Sequence, residues 1–400
     1  MRRFFILISF LLVLSGVSTK AEERDTTVYF VNVYPGPEVY ELEGHSAILV
    51  EISGQQPLAY NFGVFDFEAP NFVYRFVKGE TDYRAVEWPQ WAFLESYARQ
   101  GRRVVAHELN FDSAQKARLI SLLRENVKPE NAVYRYNYVK DNCATRPLAV
   151  VERAAGDTLL LGPSHFETEA NKEPTFRNVM RYYHKNYPWY QFGIDLALGY
   201  GIDYRINNRE TAFAPTELDH MLSQASVGGI ALVKDTHVLV DVPSDNAIKG
   251  PTPWYATPMF ISLLIFVVAL IITVRDLRRR RVTPWFDAIY FAILGIAGLV
   301  LTFLIFISVH EATSPNLLYL WLNPLCLLVP ILIWIKRAKI VLIWWQIINF
   351  VVLLLLVAAW YFLPQSANAA FLPLVLADMM RSASFVYINS KQRYSLIKLK

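Results

Sequence analysis

Four apolar runs crowd the last third of the chain, at about 257–274, 288–308, 317–335 and 340–363, each long enough to cross a bilayer as a helix. A fifth, about 369–388, is weaker because it contains Asp378 and Arg381. Backbone polar groups must be satisfied internally in hydrocarbon, so this part of the chain is confined to a helical bundle of four to five spans, about 257–390. Composition agrees, with 54% apolar and only 18% charged residues. The net charge is only +4, and most of the excess is arginine clustered beside apolar runs. That is not the footprint of a nucleic-acid binder.

Basic residues set the expected topology. "RDLRRRRVTP" follows the first span and "KRAK" the third, so both loops belong in the cytoplasm. A fifth span brings the basic tail, 391–400, to the same side. The first span then runs inward, and everything before it lies outside. The N-terminus, "MRRFFILISFLLVLSGVSTKAEE", has the basic, apolar and small-residue regions of a secretory signal peptide, with cleavage expected after Ala21. An uncleaved anchor is the rival reading, against which the apolar region is short. Both signals predict a multi-pass protein of the bacterial inner membrane whose large N-terminal domain faces the periplasm.

That domain, 22–245, reads as α+β, joined to the spans by a polar, Pro-containing linker, 246–256. "TTVYFVNVY", "HSAILVEIS" and "LAYNFGVFDF" alternate like strands, the last two joined as a hairpin at Ser53-Gly54. "DYRAVEW" and "RRVVAHELNF" are further strands around a short helix. "DSAQKARLISLLRENV" is an amphipathic helix capped by Asp112 or Ser113, and "NCATRPLAVVERAAG" is a helix ending at Gly156.

Only two cysteines are present, and Cys326 lies inside the third span, so Cys143 is an unpaired thiol in an oxidising compartment. A buried filler is one reading. Its position at the start of a helix, with Asp141 or Asn142 as cap, favours a nucleophile with a lowered pKa and helix N–H groups to hold an oxyanion. A nucleophilic thiol needs a base. His45 stands at the head of a strand, and Asn61 on the neighbouring strand is placed to orient its ring. No pair of histidines has metal-site spacing, so neither a metal nor another cofactor is expected. Arg146 is read either as a group for a phosphate or carboxylate, with Asp141 beside it, or as half of a structural ion pair. Asp378 and Arg381 share a helix face, where they pair within the bilayer or else both reach water. Asn323, Gln346 and Asn349 read as interhelical contacts.

A histidine strand followed by a helix-opening Asn-Cys resembles the circularly permuted NlpC-type, papain-like enzymes, among them the lecithin retinol acyltransferase group. More specifically, "GHSAILV", "YNFGVFDFEAPNF", "FVKGETDY", "YRYNYVKDNCATR", "PWYQFGIDLALG" and "NLLYLWLNPLCLL" resemble the Lnb-type lipoprotein N-acyltransferases. That resemblance implies Cys143 as nucleophile and His45 as base, with Asn61 and Asn142 completing the catalytic set. It also implies a Cys143 thioester and acyl transfer onto the α-amino group of a lipoprotein N-terminal cysteine. The donor would be phospholipid or the diacylated lipoprotein itself. The chain departs from the family pattern at Pro147-Leu148, where an aliphatic residue and Arg-Asp are usual. A proline in the first helical turn leaves a helix intact. Two other functions fit the same residues: a cell-wall cysteine peptidase or amidase, and a membrane-tethered binding or sensor module with a structural cysteine.

Overall fold

The computed structural model describes residues 25–166, 173–243 and 250–397. The expected signal segment, the start of the linker and the end of the tail lie outside those residues.

The N-terminal domain is built on an antiparallel sheet. Its strands are β1 (Thr26–Val33), β2 (His45–Ile52), β3 (Leu58–Val64), β4 (Asp82–Pro89), β5 (Val104–Leu109), β6 (Val133–Arg135) and β7 (Val233–Val240), in the order β7-β5-β1-β2-β3-β4-β6. The β2–β3 hairpin forms as expected, with Ala47 opposite Asn61. Alternation along the strands feeds two cores. Phe30, Ile48 and Val50 face α3 (Ser113–Asn126), α4 (Thr145–Ala155) and α7 (Pro215–Ser223) through Leu119, Val151 and Met221. Val31, Ala47 and Leu49 face α2 (Gln90–Arg99) through Phe93 and Tyr97. Helices thus cover both faces of the sheet, and β2 and β3 are central strands held rigidly. Asp112 caps α3 in a reciprocal capping box with Gln115.

Further helices of the domain include α1 (Phe72–Lys78), α5 (Phe176–Tyr183) and α6 (Pro188–Ala197), besides short turns at Pro129–Ala132 and Asn208–Thr211. Four helices in the second half are long and apolar enough to cross a membrane: α8 (Pro258–Arg279), α9 (Pro284–Phe306), α10 (Lys339–Ala359) and α11 (Phe371–Ile397). The run expected as a third span is not one continuous helix. It is a chain of short turns, Leu317–Leu320, Pro324–Leu327 and Leu328–Leu332. Pro324 and Pro330 interrupt the i→i−4 ladder, and Asn316 and Asn323 each cap a new turn with their side chains. It packs tightly on α9: a Cβ on Gly298 would lie 2.4 Å from the Asn323 backbone, so only glycine admits the approach.

The domain sits on this bundle at defined seams. Trp189 Nε1 donates to the Ala256 carbonyl just before α8. Val309 N–H donates to the Lys78 carbonyl just after α9. Arg181 donates to Ser366, and Asn368 to Asp195, between α10 and α11. Gln365 bridges Asn316 and the Leu198 carbonyl. At the far end, Trp334 meets Trp285 at the start of α9, ring centroids 4.6 Å apart. The broken run therefore travels from the domain side to the far side, and the bundle has five passages. Both arginine- and lysine-rich loops lie at the end away from the domain, the arrangement their charge requires.

Asp378 and Arg381 do not pair with each other, nor do they reach water: both are fully buried. Arg381 donates to Asp287 and Asp276 and to Thr273. Asp378 accepts from Asn349 and Ser382. Their partners come from other helices as well as their own, which spacing along one helix does not reveal.

Candidate active site

Cys143 is presented by two linked turns. Asn137 and Asp141 close a small loop through paired backbone hydrogen bonds of 3.0 Å. Asn142 then accepts from the N–H groups of Ala144 (2.8 Å) and Thr145 (2.9 Å), the bonds of an N-cap. Regular helix begins at Thr145 rather than at Cys143. Pro147 has no N–H to offer the Cys143 carbonyl, so the first intrahelical bond there is missing, while Arg146 and Leu148 still donate to the Asn142 and Ala144 carbonyls. The helix survives the proline as expected.

The central strands bring the other candidates to this point. His45 heads β2, and its Nε2 lies 2.6 Å from Asn61 Oδ1. A carboxamide oxygen only accepts, so Nε2 carries the proton and Nδ1 is the free base. The N–H of Ser46, the next residue, points at the Cys143 sulfur, as does the N–H of Cys143 itself. Gly63, two residues beyond Asn61, has φ +82°, and a Cβ there would stand 3.5 Å from Cys143 Cβ. Tyr136 closes the far side, its hydroxyl 4.0 Å from the sulfur. A narrow cleft of about 30 Å³ opens over the thiol between Tyr40, Leu42, Glu43, Tyr136 and Tyr138. A larger cavity of about 300 Å³, between Asn186–Tyr190 and Gly250–Pro253, is lined by no cysteine, histidine or charged side chain.

Residues 19–181 match the family model described as the Lnb N-terminal periplasmic domain, and residues 251–393 match the Lnb transmembrane domain. The chain belongs to the Lnb family. The two matches together take in well over half of the chain, and His45, Asn61 and Cys143 all fall within the first. No curated protein and no solved structure matches. Membership makes this a multi-pass membrane protein with a periplasmic domain and points to lipoprotein processing.

Electrostatics in this Lnb chain differ from the expectation of an activated thiolate. Burial pushes the Cys143 thiol up to about 11, opposed by the Tyr136 hydroxyl and reinforced by the Glu43 charge. Burial also pushes His45 down to about 4, against the Asn61 hydrogen bond and together with the Arg102 charge. Desolvation outweighs the helix terminus here. Desolvation therefore opposes charge on both groups.

Two further expectations change. Asn142 has no valence left for substrate: its amide donates to the Tyr138 and Phe213 carbonyls while its oxygen accepts twice. It fixes the cysteine turn instead of reacting. The N–H groups of Ala144 and Thr145 are consumed by that cap, which leaves those of Ser46 and Cys143 directed at the sulfur. Arg146 makes a bidentate pair with Asp141, at 2.5 and 2.9 Å, and lies over the Tyr134 ring at 3.4 Å. Of its two readings, the ion pair is the one present.

Sequence reasoning missed Glu43, which lines the cleft although it is only 8% exposed. Its position two residues before His45 was the available signal.

Proposed function

We propose that this chain is a cysteine-dependent lipoprotein N-acyltransferase of the bacterial inner membrane, with a thiol site arranged like a permuted papain-type enzyme. The observation that carries the reading is the His45–Asn61 hydrogen bond on strands that also deliver a backbone N–H to the Cys143 sulfur. In this mechanism Nδ1 of His45 takes the thiol proton as Cys143 attacks a lipid ester carbonyl. The Ser46 and Cys143 N–H groups stabilise the oxyanion, and the leaving alkoxide receives the proton from His45. The resulting thioester is then attacked by the α-amino group of a lipoprotein N-terminal cysteine, giving an amide and restoring the thiol.

The approach to the thiol favours a lipid donor. Tyr40, at 59% exposure, and Phe67, at 58%, pack with Phe65 and Phe72 into an open aromatic ridge at the mouth of the cleft. The ridge continues through α1 to Tyr74, whose ring meets Phe303 of α9 at 5.9 Å. An apolar path thus links the spanning helices to Cys143. The cleft at about 30 Å³ holds no acyl chain as it stands. Binding therefore requires the cleft to widen along the aromatic ridge.

The test is mass spectrometry of lipoprotein N-terminal peptides from cells carrying wild-type protein, Cys143→Ala or His45→Ala. N-acylated peptides with the wild type alone support the reading. Equal N-acylation in all three sinks it, and release of muropeptides by the wild type would favour a cell-wall amidase instead.

A further inference from the structure

The mechanism leaves one charged group of the cleft unused. Among the described residues lining the cleft, Glu43 is the one acidic or basic side chain. Its Oε1 accepts from the Tyr138 hydroxyl at 3.0 Å. Its ion-pair partner among the described residues is His184, whose Nε2 lies 3.4 Å from the same oxygen. His184 is 1% exposed, and that Nε2 has no hydrogen-bond partner. The other ring nitrogen, Nδ1, lies 2.8 Å from Gln191 Oε1. An amide oxygen only accepts, so Nδ1 carries the proton. Nε2 then turns a lone pair toward a carboxylate oxygen unless a second proton lies between them. Glu43 and His184 thus place a carboxylate oxygen against an unpartnered ring nitrogen, an arrangement that one proton between them satisfies, beside a nucleophile whose own base is His45.

The acyl acceptor of the proposed reaction needs such a group. A primary amine enters as an ammonium, which is not nucleophilic, and it must lose a proton before it attacks. The ammonium must shed two protons on its way to the amide, and His45 carries only the one that returns to the sulfur, so the other needs a second acceptor. A cleft whose only charge is a carboxylate binds a cation and rejects an anion, and a desolvated carboxylate holds an ammonium firmly.

We propose that Glu43, backed by His184, is the acceptor-amine site, binding the primary ammonium of the acyl acceptor and taking its proton. This rests on the acyl-transfer reading above. In the step, R–NH3+ gives a proton to the Glu43 carboxylate, from which it passes to His184 and on to solvent. The free amine attacks the thioester carbonyl, the C–N bond forms, and the C–S bond breaks. The remaining ammonium proton of the adduct goes through His45 to the departing sulfur, which returns Cys143 to the thiol. Glu43 takes no proton in forming the thioester, where its charge only opposes ionisation of the Cys143 thiol.

The two halves are separable by experiment. The full-length protein is incubated with phosphatidylglycerol vesicles, then with a synthetic diacylglyceryl-cysteine peptide bearing a free α-amine. Acyl-Cys143 is read by intact mass and amide by peptide mass. Glu43→Gln is expected to acquire the acyl adduct at least as readily as the wild type, to hold it, and to form amide at least about tenfold more slowly. His184→Gln is expected to show the same partition and serves if Glu43→Gln does not fold. Wild-type amide formation in both variants overturns the proposal, as does loss of the acyl adduct in a folded variant. If the wild type itself acquires no adduct, the acyl-transfer reading fails, a result distinct from either.

Discussion

Asn61 Oδ1 lies 2.6 Å from His45 Nε2, and the pair is carried by adjacent antiparallel strands, so the imidazole has one orientation and one tautomer. Asn61→Ala leaves the ring free to rotate and its N–H unpaired. Amide formation should fall about 10- to 100-fold, within the range of a general base that has lost its alignment. A melting curve separates this from unfolding, and an unchanged rate would show that Asn61 does not orient the base.

The thiol, half-buried beneath the cleft, should behave as a protonated group in the resting protein. Its alkylation by iodoacetamide should be slow at neutral pH and rise toward about 11, with none of the acidic plateau that a preformed thiolate–imidazolium pair gives. The folded thiol keeps its proton up to about 11, against 9.0 for the free group. Its contribution to stability is therefore complete below 9.0 and lost as pH rises through about 11. Rapid alkylation at pH 5 would overturn this picture.

Gly63 is placed where a side chain is costly for the backbone. Its φ of +82° is one that residues with a Cβ rarely adopt, while the added atom would meet Tyr136 at 3.4 Å and Cys143 at 3.5 Å in ordinary van der Waals contact. Gly63→Ala should cost about 1–3 kcal/mol of stability through backbone strain beside the sulfur. Thermal melting checks the statement.

In the bundle, Arg381 neutralises Asp276 and Asp287 with no access to water. Arg381→Met leaves two carboxylates facing each other in the interior and should cost about 3–5 kcal/mol, read as a lower melting temperature in detergent. A variant as stable as the wild type would mean that the cluster does not hold α8, α9 and α11 together.

The sequence carried the parts of the fold that rest on local periodicity. The alternation in β1, β2 and β3, the Asp112 cap of α3 and the Gly156 stop of α4 are all present where their residues ask for them. It did not carry β7, whose "VKDTHVLV" has one buried residue because it pairs at the sheet edge and leaves one side to solvent. The broken third passage also escaped, since Asn323 and Pro324 read as two polar or rigid residues within an apolar run. The helix with Asp378 and Arg381 looked the weakest span, because the carboxylates and amides that satisfy those charges lie on other helices. The same limit applies at the site. His45, Asn61 and Cys143 could be nominated from strand and helix positions. The thiol's burial, the engagement of Asn142 and the Glu43–His184 pair depend on packing between elements far apart in the chain.

The central claim is that Cys143 carries the acyl group. The direct measurement is intact mass of the purified full-length protein after incubation with ester lipid, before and after neutral hydroxylamine. The account predicts one added acyl mass, mapped to Cys143, removed by hydroxylamine and missing from Cys143→Ala. It is contradicted if N-acylated lipoprotein accumulates in the same reaction with the Cys143→Ala protein.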